Sequence, residues 1–161
     1  MKNGRAGFLL LLVSVTVAVM LQLLVLPEWM RSSRPYWLPL VLSYWALTQP
    51  GGTLLLVSAI AGLGLDVAFG TALGQHALAN VVLVYLIARL RTLFVLLDTW
   101  QVMFALAPLW ALYVFILFWL DGLTNRSADP TLRWMPIIAT TLIWPAIYGL
   151  LKGLQRTKRE D

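Results

Sequence analysis

Residues Phe8 to Leu26 read FLLLLVSVTVAVMLQLLVL, 19 residues without a charge. A spanning helix needs about 20 apolar residues, because each residue rises about 1.5 Å through a hydrocarbon layer about 30 Å thick. The run meets that length. It follows Lys2 and Arg5, as the apolar part of a secretory leader would. It is longer than such a part, and it ends in Pro27-Glu28-Trp29 without a small-x-small cleavage site, so it is expected to stay.

Further apolar runs follow. Tyr36–Thr48 is short and closes at the turn Gln49-Pro50-Gly51-Gly52. Thr53–Phe69 contains Asp66. Gly70–Ala88 opens weakly at Gly70, Gly74, Gln75 and His76, so its spanning part is expected over 72–88. Trp100–Leu120 carries Pro108, and Met135–Leu151 carries Pro136 and Pro145. The stretch Asp121–Arg133 reads as a loop, and 152–161 as a basic tail. The expectation is an all-α integral membrane protein, one compact domain of about six spans over 8–26, 36–48, 53–69, 72–88, 100–120 and 135–151.

Composition agrees. Hydrophobic residues make up 60% and charged residues 12%, against about half and a quarter in soluble domains. Unbroken apolar runs lack the alternation of a membrane β-barrel strand. With no strand edge permitted in lipid, helices remain. The chain has no cysteine, which excludes disulfides and thiolate metal sites. Its net charge is +5, but the basic residues lie between and beyond the apolar runs. That distribution suits anionic lipid and bilayer orientation, not a nucleic-acid groove.

Orientation decides the count. Six spans with an internal N-terminus put Lys2, Arg5, Arg89, Arg91, Lys152, Arg156, Lys158 and Arg159 inside, against Arg31, Arg34, Arg126 and Arg133 outside: eight against four. Dropping the short second span reverses everything after it and breaks the positive-inside rule. Six spans with both termini cytoplasmic are therefore expected. Trp29, Trp37, Trp100, Trp119 and Trp134 flank run ends, as interfacial anchors do.

Few residues could carry chemistry. A carboxylate inside an apolar run costs a few kcal/mol on insertion scales, about 3, so Asp66 needs a reason. Ser58, Gly62, Asp66, Gly70 and Gly74 recur every four residues. On a continuous helix they form one face of small residues plus a carboxylate, with Gly70 and Gly74 as a GxxxG pair. The expected role is a close helix-packing or partner interface, with Asp66 bonding a neighbouring helix or capping the next segment. A proton or ion site is the competing reading, and no second deep ionisable group is visible to support it. Gln22, the other intramembrane polar residue, is expected to bond a neighbouring helix. His76, the one histidine, lacks Cys, Asp or Glu at ligand spacing, so no metal site is expected. No G-x-S-x-G context or paired acid and base suggests catalysis. No cofactor is expected.

The stretch Gly62-Leu-Gly-Leu-Asp66-Val-Ala-Phe-Gly70-Thr-Ala-Leu-Gly74-Gln-His-Ala-Leu78 resembles the signature of the MreD family of rod shape-determining proteins. Leu21-Gln22 before Pro27, Arg34-Pro35-x-Trp37 leading into Tyr44-Trp45, and Trp144-Pro145 in the last span are similar too. The resemblance covers nearly the whole chain. It implies a non-catalytic component of the bacterial inner membrane that maintains rod shape and supports lateral peptidoglycan synthesis. The implied partners are the bitopic protein MreC, the actin-like MreB, RodA and the elongation transpeptidase. The implied fold is similar to the substrate-binding components of vitamin transporters. Some relatives carry a basic residue in the turn at Gln49-Pro50-Gly51-Gly52, and this chain has none. The alternative is a small-molecule binding component of a transporter, whose pocket would draw on Asp66, Gln75, His76 and Asn80.

Overall fold

The computed structural model describes residues 2–24, 34–124 and 130–160. Pro27, Glu28, Trp29, Arg31, Arg126 and Asp129, discussed above, lie outside the described residues, as do the side chains of Lys2, Arg5, Arg133, Arg156, Lys158 and Arg159. Among the described residues there are six helices and no strand: α1 (Lys2–Leu23), α2 (Trp37–Thr48), α3 (Gly52–Phe69), α4 (Gln75–Phe94), α5 (Thr99–Leu123) and α6 (Pro130–Glu160). Helices α3, α4, α5 and residues Trp134–Gln155 of α6 are each long and apolar enough to cross a membrane. The chain is an all-α, multi-pass membrane protein.

Several boundaries differ from the sequence expectation. Asp121 belongs to α5 and Pro130 opens α6, so the expected loop from Asp121 to Arg133 is helical at both of its described ends. A charge at the end of an apolar run resembles a loop residue, and here it is instead a buried last-turn residue. At the other end of α4, the helix passes Arg89 and Arg91 and continues to Phe94.

Packing places α2 at the centre. Helix α1 packs on α3, α3 on α4, α4 on α5, α5 on α6, and α6 returns to α1. Inside that ring, α2 touches α1, α3, α4 and α6, and α5 reaches it through the Trp110 side chain. Nine of the twelve α2 residues, Leu38 to Ala46, are buried, so no face of the helix is left for lipid. At about 1.5 Å per residue α2 is about 18 Å long, well short of the hydrocarbon thickness. The ring, not the bilayer, is its solvent.

A buried helix must have its polar ends satisfied from its neighbours, because no water reaches them. Two entering amides are served in that way. Tyr36 N–H donates to Thr140 Oγ1 (2.9 Å) on α6, and Trp37 N–H donates to Gln22 Oε1 (2.8 Å) on α1. Pro39 sits in the first turn, where a missing N–H leaves no bond unmade. Along α2, indole donors find hydroxyls. Trp45 Nε1 donates to Ser14 Oγ (2.9 Å), and Trp110 Nε1 donates to Ser43 Oγ (3.0 Å). Edge-on aromatic pairs, Tyr44 with Trp45 and Tyr148 and Trp110 with Trp144, fill the space between α2, α5 and α6.

Shortening a side chain at the centre is expected to cost far more than shortening one that faces lipid. Leu42 is fully buried, whereas Leu56 is 62% exposed. Leu42→Ala is expected to destabilise the purified protein by about 2–5 kcal/mol, and Leu56→Ala by less than about 0.5 kcal/mol. Thermal unfolding in one detergent compares them directly.

Candidate functional site: a polar clamp at one end of the bundle

Helix α3 ends where its small-residue pattern meets Gly70. The Gly70 backbone is left-handed, with φ of +61°. Thr71 N–H donates to the Asp66 carbonyl (2.9 Å) and Gly70 N–H to the Val67 carbonyl (3.3 Å), the paired closure that favours glycine at this position. Gly74, the residue before α4, is left-handed as well, with φ of +96°.

This corrects the expected helical face. Ser58, Gly62 and Asp66 share one side of α3, and all three are buried. Gly70 and Gly74 leave the helix, so they form no GxxxG packing pair. A Cβ at either would meet open space; positive φ is what selects glycine there. Gly62 is the true close approach. A Cβ on it would lie 2.5 Å from the Ala77 nitrogen and 2.8 Å from the His76 carbonyl carbon, both backbone atoms of α4. The face packs within this chain.

The Asp66 side chain is fully buried, and its carboxylate gathers the next segment around itself. Oδ1 accepts from Thr71 Oγ1 (2.8 Å), from the His76 backbone N–H (2.9 Å) and from His76 Nδ1 (2.8 Å). Oδ2 accepts from the Gly74 N–H (2.9 Å). Four donors meet the carboxylate, three of them sharing Oδ1 and one on Oδ2. Since an ionised carboxylate only accepts, the ring proton of His76 belongs on Nδ1. Asp66 thus caps α4 from another helix. The position before α4 is a glycine with no side chain to cap with, and a negative group beside a helix N-terminus is favourable.

A second bond extends the clamp to α5. Gln75 Nε2 donates to Asp121 Oδ1 (2.6 Å) and to the Leu117 carbonyl (3.3 Å), and both side chains are buried. Sequence reasoning did not pair these two. The one available signal was a glutamine at the start of one apolar run and a carboxylate at the end of the next, which antiparallel neighbours bring together. Gln22 lies in the α1–α2 contact described above and caps Trp37.

Of the four groups that a ligand pocket would need here, Asp66, Gln75 and His76 are engaged in holding α3, α4 and α5 together. Asn80 is fully buried, and its amide meets no hydrogen-bond partner among the described residues. Chemically the arrangement is a fastener: the Asp66 carboxylate and the Gln75 amide nitrogen spend their hydrogen bonds within the chain.

Two alanine substitutions separate close packing from mere small size. Gly62→Ala pushes α3 from the α4 backbone and is expected to cost about 1–3 kcal/mol. Gly64→Ala has open space and is expected to lose nothing, since alanine is the better helix former by about 1 kcal/mol. Melting temperatures of the two variants in detergent check the contrast.

Comparison with known proteins agrees on one family. A family model described as rod shape-determining protein MreD matches residues 4–154. The rod shape-determining protein MreD of Haemophilus influenzae is 31% identical over 144 residues, covering 87% of this chain and 86% of that protein. No solved structure matches. With the clamp segment inside a match that runs almost end to end, this chain belongs to the MreD family of rod shape-determining membrane proteins, a structural family and not an enzymatic one.

Proposed function

We propose that the protein is a non-enzymatic scaffold of the bacterial cell-elongation machinery in the cytoplasmic membrane, with both termini in the cytoplasm. It holds the bitopic protein MreC, and through that complex supports MreB, RodA and the elongation transpeptidase in lateral peptidoglycan synthesis. The family match over almost the whole chain carries this reading. The chemistry of the clamp is consistent with it. Asp66, Thr71, His76, Gln75 and Asp121 fasten helices to one another, which is what a rigid platform requires. Outward-facing Leu56, Ile60, Leu63 and Val67 on α3 leave an apolar surface for lipid or a partner helix.

Binding between membrane helices depends on van der Waals fit, since lipid removes the hydrophobic drive. A platform whose faces shift is therefore expected to lose its partner before it loses its fold. In cells lacking the natural gene, Gly62→Leu is expected to give rounded cells and little MreC on co-purification, whereas Gly64→Ala gives rods and full recovery. Normal rods and normal MreC recovery with Gly62→Leu would refute the scaffold reading. Orientation has its own test: a fluorescent-protein fusion at the C-terminus is expected to glow and an alkaline phosphatase fusion there to be inactive.

A further inference from the structure

At the end of the bundle where α2 and α4 finish lies a cavity of about 230 Å³, partly open to the outside. Leu47 and Thr48 of α2, Phe94 of α4, Val102 of α5 and Trp144 and Tyr148 of α6 form most of its wall. It occupies the space where α5 stands off from the central helix. We propose that this cavity holds part of one anionic phospholipid from the adjoining leaflet, with its charged headgroup at the mouth.

Two observations converge on that occupant. The first is size. The volume is below the roughly 300 Å³ at which pockets for whole small molecules begin, so an occupant has its remainder outside. Beside the mouth, Leu96 on the short α4–α5 connection and Trp100 in the first turn of α5 are exposed apolar groups, suited to the boundary between headgroups and acyl chains.

The second is charge. Lys152 follows Tyr148 by one helical turn, with its Nζ 5.6 Å from the Tyr148 ring centroid. Arg91 precedes Phe94 and Val95 by one turn on the same side of α4, and its Nε is buried without a partner among the described residues. Arg89 is nearby on the same turn. Asp98 is the one acidic residue among the described side chains at this end. A neutral lipid would leave these cations unmatched. An anionic phospholipid supplies the acyl segment and the negative charge together.

Native mass spectrometry of the full chain in mild detergent, titrated with phosphatidylglycerol or phosphatidylcholine, tests the assignment. One phosphatidylglycerol is expected to be retained in preference to phosphatidylcholine. Lys152→Gln, at an exposed site, is expected to lower that preference about fivefold, the effect of one cation near an anionic lipid surface, and Lys152→Arg to restore it. Thr99→Trp, which fills the cavity, is expected to displace the lipid altogether. Equal retention of the two lipids overturns the proposal, as does retention of neither, the result for a cavity filled by water or by a partner's side chain. Undiminished preference in Lys152→Gln overturns it even where Thr99→Trp does not fold.

Discussion

The fold turns on a buried carboxylate. Asp66 sits one turn from the end of α3 and accepts hydrogen bonds from three residues of the segment that follows. In hydrocarbon the alternatives for that segment are poor. Gly74 and His76 would present unmade amide donors at a helix start, and Asp66 itself would be an unpaired buried charge. Joining the two problems solves both. The same turn sets the angle at which α4 returns along α3, and the missing Cβ of Gly62 then allows the two backbones to meet. The Gln75–Asp121 bond carries the arrangement on to α5.

From that end the rest of the bundle can be understood as a ring built around a helix too short to cross a membrane by itself. Helix α2 presents its entering amides to Gln22 and Thr140, and its length is flanked by Trp45, Trp110 and Trp144. Large rings at the centre provide contact area, and their indole N–H groups demand acceptors, which Ser14 and Ser43 supply to Trp45 and Trp110. Trp144 is the exception, and it is the tryptophan beside the cavity. The aromatic anchors expected at the interfaces are different residues: Trp100, Trp119 and Trp134 are exposed.

Much of this was open to reading before any coordinates. The charge-free run from Phe8 and the absence of strand alternation led to helices in lipid, and the energetic cost of Asp66 marked it as a residue with a task. The clamp segment also carried the family resemblance. Other features were hidden for physical reasons. Spacing of four residues fits one helical face, and it equally fits two left-handed glycines bracketing a turn, so Gly70 and Gly74 could be placed on a face they do not occupy. The centrality of α2 left no trace in hydropathy, because a helix enclosed by protein and one facing lipid both require apolar side chains. Asp121 resembled a loop residue because its partner, Gln75, lies in another helix. Local sequence marks polar residues in apolar runs; it does not name the group each one meets.

A membrane scaffold acts through surfaces, and surfaces keep their shape only when the interior is fastened. In this protein polar groups at one end fasten α3, α4 and α5 to one another, and the outward faces are left apolar. Hydrogen exchange across residues 70 to 77 probes the fastening most directly. With Asp66 in place, the Gly74 and His76 amides are predicted to exchange slowly, and in Asp66→Ala both are predicted to exchange rapidly while α5 amides near Trp110 stay protected. Rapid exchange of both amides in the unaltered protein, or no change on removing the carboxylate, would contradict the clamp.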